Sequence, residues 1–184
     1  MGVVTGEKNI QNWYALKVFF NKVFEIEKLL NEAQVESYVP CKCVVRESRG
    51  VKIKVRKPVI PSLMFFRSTE EYAVKLQSVL MNRVIVYSNL ECRSKRKPAP
   101  IPDEEMKAFI LVTESGDDGL EYFPDDYMAY KDGEHVRVVD GMFKGAEGVI
   151  KRIKHNRRLT VTLEGVCMVA TSFIDPKYLE KIQD

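Results

Sequence analysis

The most constraining stretch of the chain is Val136-Arg-Val-Val-Asp-Gly-Met-Phe-Lys-Gly-Ala-Glu-Gly-Val-Ile150. Val136, Val138 and Val139 supply one β-branched run, and Val149, Ile150 and Ile153 supply a second. Between them lie Gly141, Gly145 and Gly148 around one aromatic, Phe143. Glycine costs backbone entropy wherever it is ordered, so this spacing marks positions of positive φ or close backbone approach. The pattern lacks the lysine and hydroxyl of a phosphate-binding loop and opens no helix. A hairpin in a small β-barrel is expected, with Phe143 packing over its mouth and a partner contact as the alternative.

The strands expected after it, 148–154, 158–164 and 167–173, join 135–139 in an all-β unit closed by a short turn over 176–182. The earlier chain reads differently. Residues 12–20 have the aromatic content of a buried strand, and Asn21 is placed to cap a helix carrying Val23, Ile26, Leu29, Leu30 and Ala33. Two strands, 37–47 and 51–57, meet at a turn containing Arg49. Leu63-Met-Phe-Phe66 follows Pro58 and Pro61 as a further strand, then come a helix around Tyr72 to Leu80 and a strand over 84–87. Pro102-Asp-Glu-Glu105 starts a third helix well, because acids are favoured in the first turn. Met106, Phe109 and Ile110 give that helix an apolar side. The order predicts an α+β fold: an N-terminal antiparallel sheet flanked by helices, then a linker, then the barrel.

Charge sharpens the boundaries. Residues 1–113 carry 19 Lys and Arg against 12 Asp and Glu, 114–130 carry six acids and no base, and 131–184 carry ten bases and eight acids. The expected units are therefore 9–113, an acidic linker over 114–130, and 131–184. Within 42–57 seven bases (Lys42, Arg46, Arg49, Lys52, Lys54, Arg56 and Lys57) meet one acid, Glu47. A charge run is usually a solvated face, but this excess also suits phosphate. The Arg93–Lys97 loop reads equally well either way.

Several functions are disfavoured. No segment approaches the ~20 apolar residues of a membrane helix, and the first residues lack the charged start and apolar core of an export signal. A cytoplasmic monomer is expected. Cys41, Cys43, Cys92 and Cys167 do not have zinc-site spacing, and His135 and His155 are the only histidines. Hydrolase, zinc-protease and nucleotide-loop patterns are absent. Catalytic residues, metal and cofactors are expected to be none.

Trp13-Tyr14, the strand ending Tyr38-Val-Pro40, the basic hairpin, and Pro61 before an apolar strand together resemble the NusG N-terminal domain. Pro98-Ala-Pro-Ile-Pro-Asp-Glu-Glu-Met106 is similar to the segment entering that domain's last helix. Gly133 to Val149 resembles the KOW motif, with Asp140, Gly141, Phe143, Gly145 and Gly148 in its pattern. The resemblance implies a transcription elongation factor or antiterminator. Its N-terminal domain would sit on the clamp of RNA polymerase, and its KOW barrel would recruit a second partner.

That reading implies polymerase contacts at Leu63 and Phe65, with Tyr14 and Ile60 as weaker candidates. Met64, Phe66 and Trp13 are expected in the core. It places the basic hairpin near nascent RNA or non-template DNA. Pro61-Ser62-Leu63 departs from the usual Pro-Gly-Tyr, and Glu164 replaces the aromatic before the glycine matched by Gly165. In the family that aromatic helps contact Rho or a ribosomal protein. Both departures resemble specialised paralogues such as RfaH and the UpxY antiterminators of capsule operons. The alternative is a KOW-type RNA- or ribosome-binding module without a polymerase role.

Overall fold

Alternation in the first strand decides the architecture. The computed structural model describes residues 10–48, 50–88, 97–124 and 133–182. In β1 (Asn12–Val18), Trp13 and Ala15 project to one side while Tyr14, Leu16 and Val18 project to the other, and both sets are buried. Such a strand needs cover on both faces.

One cover is helical. α1 (Val23–Glu32) and α2 (Glu70–Val79) bring Val23, Ile26, Leu30 and Ala73 against Tyr14, Leu16, Val18, Met64 and Phe66. Thr69 caps α2 by accepting from the Tyr72 amide at 3.2 Å. The cap expected of Asn21 is not made: Lys22 holds that position without a side-chain cap, and Asn21 adopts φ 54°.

The first sheet also contains β2 (Ser37–Tyr38), β5 (Leu63–Ser68), β6 (Val84–Val86) and β7 (Pro100–Ile101). Its strands run antiparallel in the order β2-β5-β1-β6, with β7 beside the start of β1. β3 (Cys41–Ser48) and β4 (Val51–Pro58) form a separate two-stranded ribbon.

The other face of β1 meets α3 (Asp103–Thr113). Pro102 sits just before this helix rather than in its first turn, which holds Asp103, Glu104 and Glu105. Met106, Phe109 and Val112 are fully buried, and Ile110 and Leu111 are half-buried. The second sheet lies against the same helix through β11 (Asn156–Leu163) and β12 (Cys167–Phe173). Trp13, Phe65, Phe109, Val138, Leu159 and Val161 therefore belong to one continuous apolar core.

The second sheet is antiparallel, in the order β13-β9-β10-β11-β12-β8. Its remaining members are β8 (Glu121–Pro124), β9 (Glu134–Val138), β10 (Glu147–Ile153) and β13 (Leu179–Lys181). The expected strands are present, but the path is open, with β8 and β13 at its edges. β8 comes from the stretch expected to be linker. The Ser172 amide donates to Asp117 at 2.8 Å, and Glu121 accepts from Lys154 and Arg158, both at 2.8 Å. Acids at the start of the linker thus fasten it to the second sheet.

Phe109 is the side chain shared most directly between α3 and the first sheet. Replacing it with Ala should cost about 3–5 kcal/mol, the range for removing a buried aromatic ring. Denaturant titration should show the loss; a change within error would mean that the α3 interface is not formed in solution.

Candidate functional site

The apolar face of the first sheet is formed by Leu63 and Phe65, as alternation predicts, with Ile60 packed beside them. It is not open. Leu63 is 2% and Phe65 0% exposed. The Phe109 ring meets Phe65 edge-on at 5.4 Å between centroids, and Tyr38 stacks with Phe65 at 6.5 Å. The exposed docking surface expected here is covered because α3 and the second sheet complete the core over it. Tyr14 cannot belong to that surface at all. It projects to the opposite face, 5.8 Å from Phe66, and is 1% exposed.

Both ends of α3 are held by polar contacts. Arg67 on β5 reaches Asp103 at 2.9 Å and Glu36 at 3.7 Å. At the other end, Thr113 Oγ1 donates to the Phe109 and Ile110 carbonyls. Its one proton is thereby used, so the Tyr38 hydroxyl donates to Thr113 Oγ1. Burial pushes the Tyr38 phenol up to about 12. Tyr122 on β8 is also pushed up, by burial first and then by its proximity to Tyr38. These two phenols mark where the linker strand meets the first sheet.

The β3–β4 ribbon presents bases on both faces. Register pairs Lys42 with Lys57, Val44 with Val55 and Arg46 with Ile53 on one face. Cys43 faces Arg56, Val45 faces Lys54 and Glu47 faces Lys52 on the other. Arg56 is engaged: its guanidinium reaches Glu27 at 3.2 and 3.0 Å and lies 5.3 Å from the Phe24 ring centroid. Lys42, Arg46, Lys52, Lys54 and Lys57 are exposed and form no ion pair among the described residues. Arg49 lies outside the described residues, as do Arg93 to Arg96. Lys97 stands 4.0 Å from Glu70.

In the second sheet, Gly141 and Gly145 take φ of 85° and 91°, as the glycine spacing predicted. Gly148 is required for a different reason: an added Cβ would stand 2.4 Å from the Thr160 carbonyl oxygen. Phe143 is 4% exposed and packs in the common core. Asp140, Glu164 and Gly165 are exposed. Glu164 lies near enough to Glu105, in the first turn of α3, to disfavour ionisation there.

Residues 11–110 match the family model described as "Transcription termination factor nusG". The chain belongs to the NusG family. Its curated relative "Transcription termination/antitermination protein NusG" of Pseudomonas aeruginosa is 37% identical over 62 residues. That alignment covers 33% of this chain and 32% of the relative, so it spans about a third of the relative's length. A solved chain titled "Domain interaction in Thermotoga maritima NusG" aligns over 95% of this chain and 98% of its own, with a TM-score of 0.44 and 19% identity.

The NusG match contains β1 through most of α3, and with them Tyr14, Ile60, Leu63, Phe65 and the basic ribbon. The glycine-patterned second sheet lies beyond it. Among the described residues, no helix is long and apolar enough to cross a membrane. Sequence reasoning missed the strand in the linker, because its acids read as solvated tether; Tyr122 and Phe123 beside Glu121 were the available signal.

Glu105 gives a test of the contact between α3 and the second sheet. Its carboxyl is raised by burial first and by the Glu164 charge second. A carboxyl raised by folding disfavours the folded state once ionised. Stability therefore falls as pH climbs from the ordinary carboxylate range through the raised value, and is recovered below it. Glu164→Gln should raise the thermal midpoint at neutral pH and flatten this dependence. An unaltered pH profile would show that the two carboxyls do not face each other.

Proposed function

We propose that this protein is a processive antitermination factor that binds RNA polymerase through its N-terminal unit and suppresses pausing or termination. The observation that carries this reading is the NusG match across the first sheet, the ribbon and α3. A bridging factor of this kind works by preferring the elongating state of the enzyme; equal affinity for both states would change nothing.

The docking surface is the face of Leu63 and Phe65 with Ile60 at its border. Buried aromatics anchor such contacts well. Because the face is covered here, docking exchanges the second sheet for polymerase. Tyr14 supports that surface from behind, through its packing on Phe66. The ribbon's unpaired bases lie against nascent RNA or non-template DNA, where they hold phosphate without reading sequence.

Residues 9–113 form the polymerase-binding domain, 114–130 the linker and 131–184 a KOW domain that recruits a second partner. Ser62, Leu63 and Glu164 support a specialised role of the RfaH or UpxY type, serving long operons such as those for capsule. Glu164 and Gly165 mark the partner face, with a weakened contact to Rho or the ribosome.

The experiment compares the full chain with Leu111→Asp on immobilised core RNA polymerase. The Leu111 side chain lies beside Gly145, 3.8 Å from the site of an added Cβ, so the charge should loosen the second sheet from α3. Wild type should bind, and the variant should bind more tightly, by at most the inverse of the uncovered fraction. Pause lifetimes on a long template should fall in parallel. Failure of both proteins to bind polymerase, with RNA binding retained, would select the alternative of a KOW-type RNA-binding module.

A further inference from the structure

We infer that β8 is a detachable strap: its pairing with β12 shortens the tether between the two units and holds the second sheet on α3. Its regulatory meaning rests on the proposed displacement of the second sheet by polymerase; the strap itself does not. α3 ends at Thr113 and β8 begins at Glu121, so seven residues, 114–120, join them while β8 is paired. With β8 released, the connection from α3 to β9 runs over twenty residues, 114–133.

The strap is fastened along its length. Register sets Glu121 opposite Ala170, Tyr122 opposite Val169, Phe123 opposite Met168 and Pro124 opposite Cys167. Ahead of the strand, the Asp117 carboxylate accepts from the Gly119 amide at 2.9 Å and from the Ser172 amide on β12 at 2.8 Å. Alternation then sends Glu121 and Tyr122 to opposite faces. Tyr122 packs on the shared core, near Tyr38 of the first unit. Glu121 accepts from Lys154 and Arg158, both at 2.8 Å. The Arg158 side chain is 13% exposed, and its Nε is buried without a hydrogen-bond partner among the described residues. Removing Glu121 would strand this largely buried cation, which opposes peeling.

The fastening is also limited. β8 has only four residues, lies at the edge of its sheet and ends in Pro124, which has no N–H to donate. One of its two ion pairs uses Lys154, whose side chain is 71% exposed, and solvent screens that pair. So short an edge strand can leave while β9 to β13 keep their own pairing. Chain statistics set the consequence. The local concentration of a tethered unit falls roughly as the −3/2 power of tether length, so lengthening from seven to twenty residues lowers it about fivefold. Loss of the Tyr122 contact acts in the same direction. The paired linker therefore favours the covered state of Leu63 and Phe65, and the released linker favours the uncovered one.

The test uses the full chain without polymerase, so the strap and the polymerase reading can fail separately. Ala108→Cys places a thiol on the side of α3 that carries Glu105 and Leu111, both of which meet the second sheet. Its alkylation rate relative to the exposed Cys43 reports how often the second sheet lifts. Hydrogen exchange at the amides shared by β8 and β12 reports the strap. In this background Glu121→Arg should speed that exchange and raise the alkylation rate about fivefold. Asp117→Ala, which leaves the charges of β10 and β11 untouched, should move both readouts in the same direction. Glu121→Arg/Arg158→Glu should restore both by rebuilding the pair in reverse. Because coupling is reciprocal, Leu111→Asp should in turn speed exchange at β8. Faster β8 exchange with unchanged alkylation would overturn the proposal and leave β8 an ordinary edge strand. So would unchanged exchange in both single variants, or a charge-swapped chain that behaves like Glu121→Arg.

Discussion

The structure depends on the burial of α3 from two sides. Phe109 lies against Phe65 of the first sheet, while Leu111 lies beside Gly145 of the second. A helix that is apolar over so much of its circumference cannot face water. The two sheets therefore cover different sides of α3 and share one apolar core. Arg67 at one end and Tyr38 at the other orient the helix, but they do not supply the driving force. If the second sheet leaves, the outer side of α3 and the face beneath it both need new cover.

Charge is organised around the same contact. The acids at the start of the linker are used within the protein: Asp117 holds β12, and Glu121 takes two bases of the β10–β11 hairpin. Composition alone marks 114–130 as an acidic linker. The described part of the tether instead pairs with the second sheet. Most bases of the two hairpins are left unmatched, on both faces of β3–β4 and at the tip of β10–β11.

Much of the fold was legible in the sequence, because two periodicities dominate it. Alternation separated Leu63 and Phe65 from Met64 and Phe66, and that separation is the one observed. The glycine spacing marked Gly141 and Gly145, whose φ values are positive, and Phe143 packs as its neighbours suggested. The site was less legible. Alternation tells which residues share a face but not what covers that face, so Leu63 and Phe65 read as exposed. Tyr14 was grouped with them by resemblance, whereas the pleat sends it to the other side.

The sequence by itself determined the three helices, the alternating faces of β1 and β5, and the glycine positions of the second sheet. These follow from local periodicity, backbone sterics and residue chemistry, which need no partner strand; the likeness to NusG was carried by its motifs taken in order. Only the tertiary structure decided that α3 is sandwiched, that residues 121–124 add a strand, and that Arg152 meets Arg157. Those outcomes depend on contacts between segments far apart in the chain, where burial and register decide together and neither is written in any one segment.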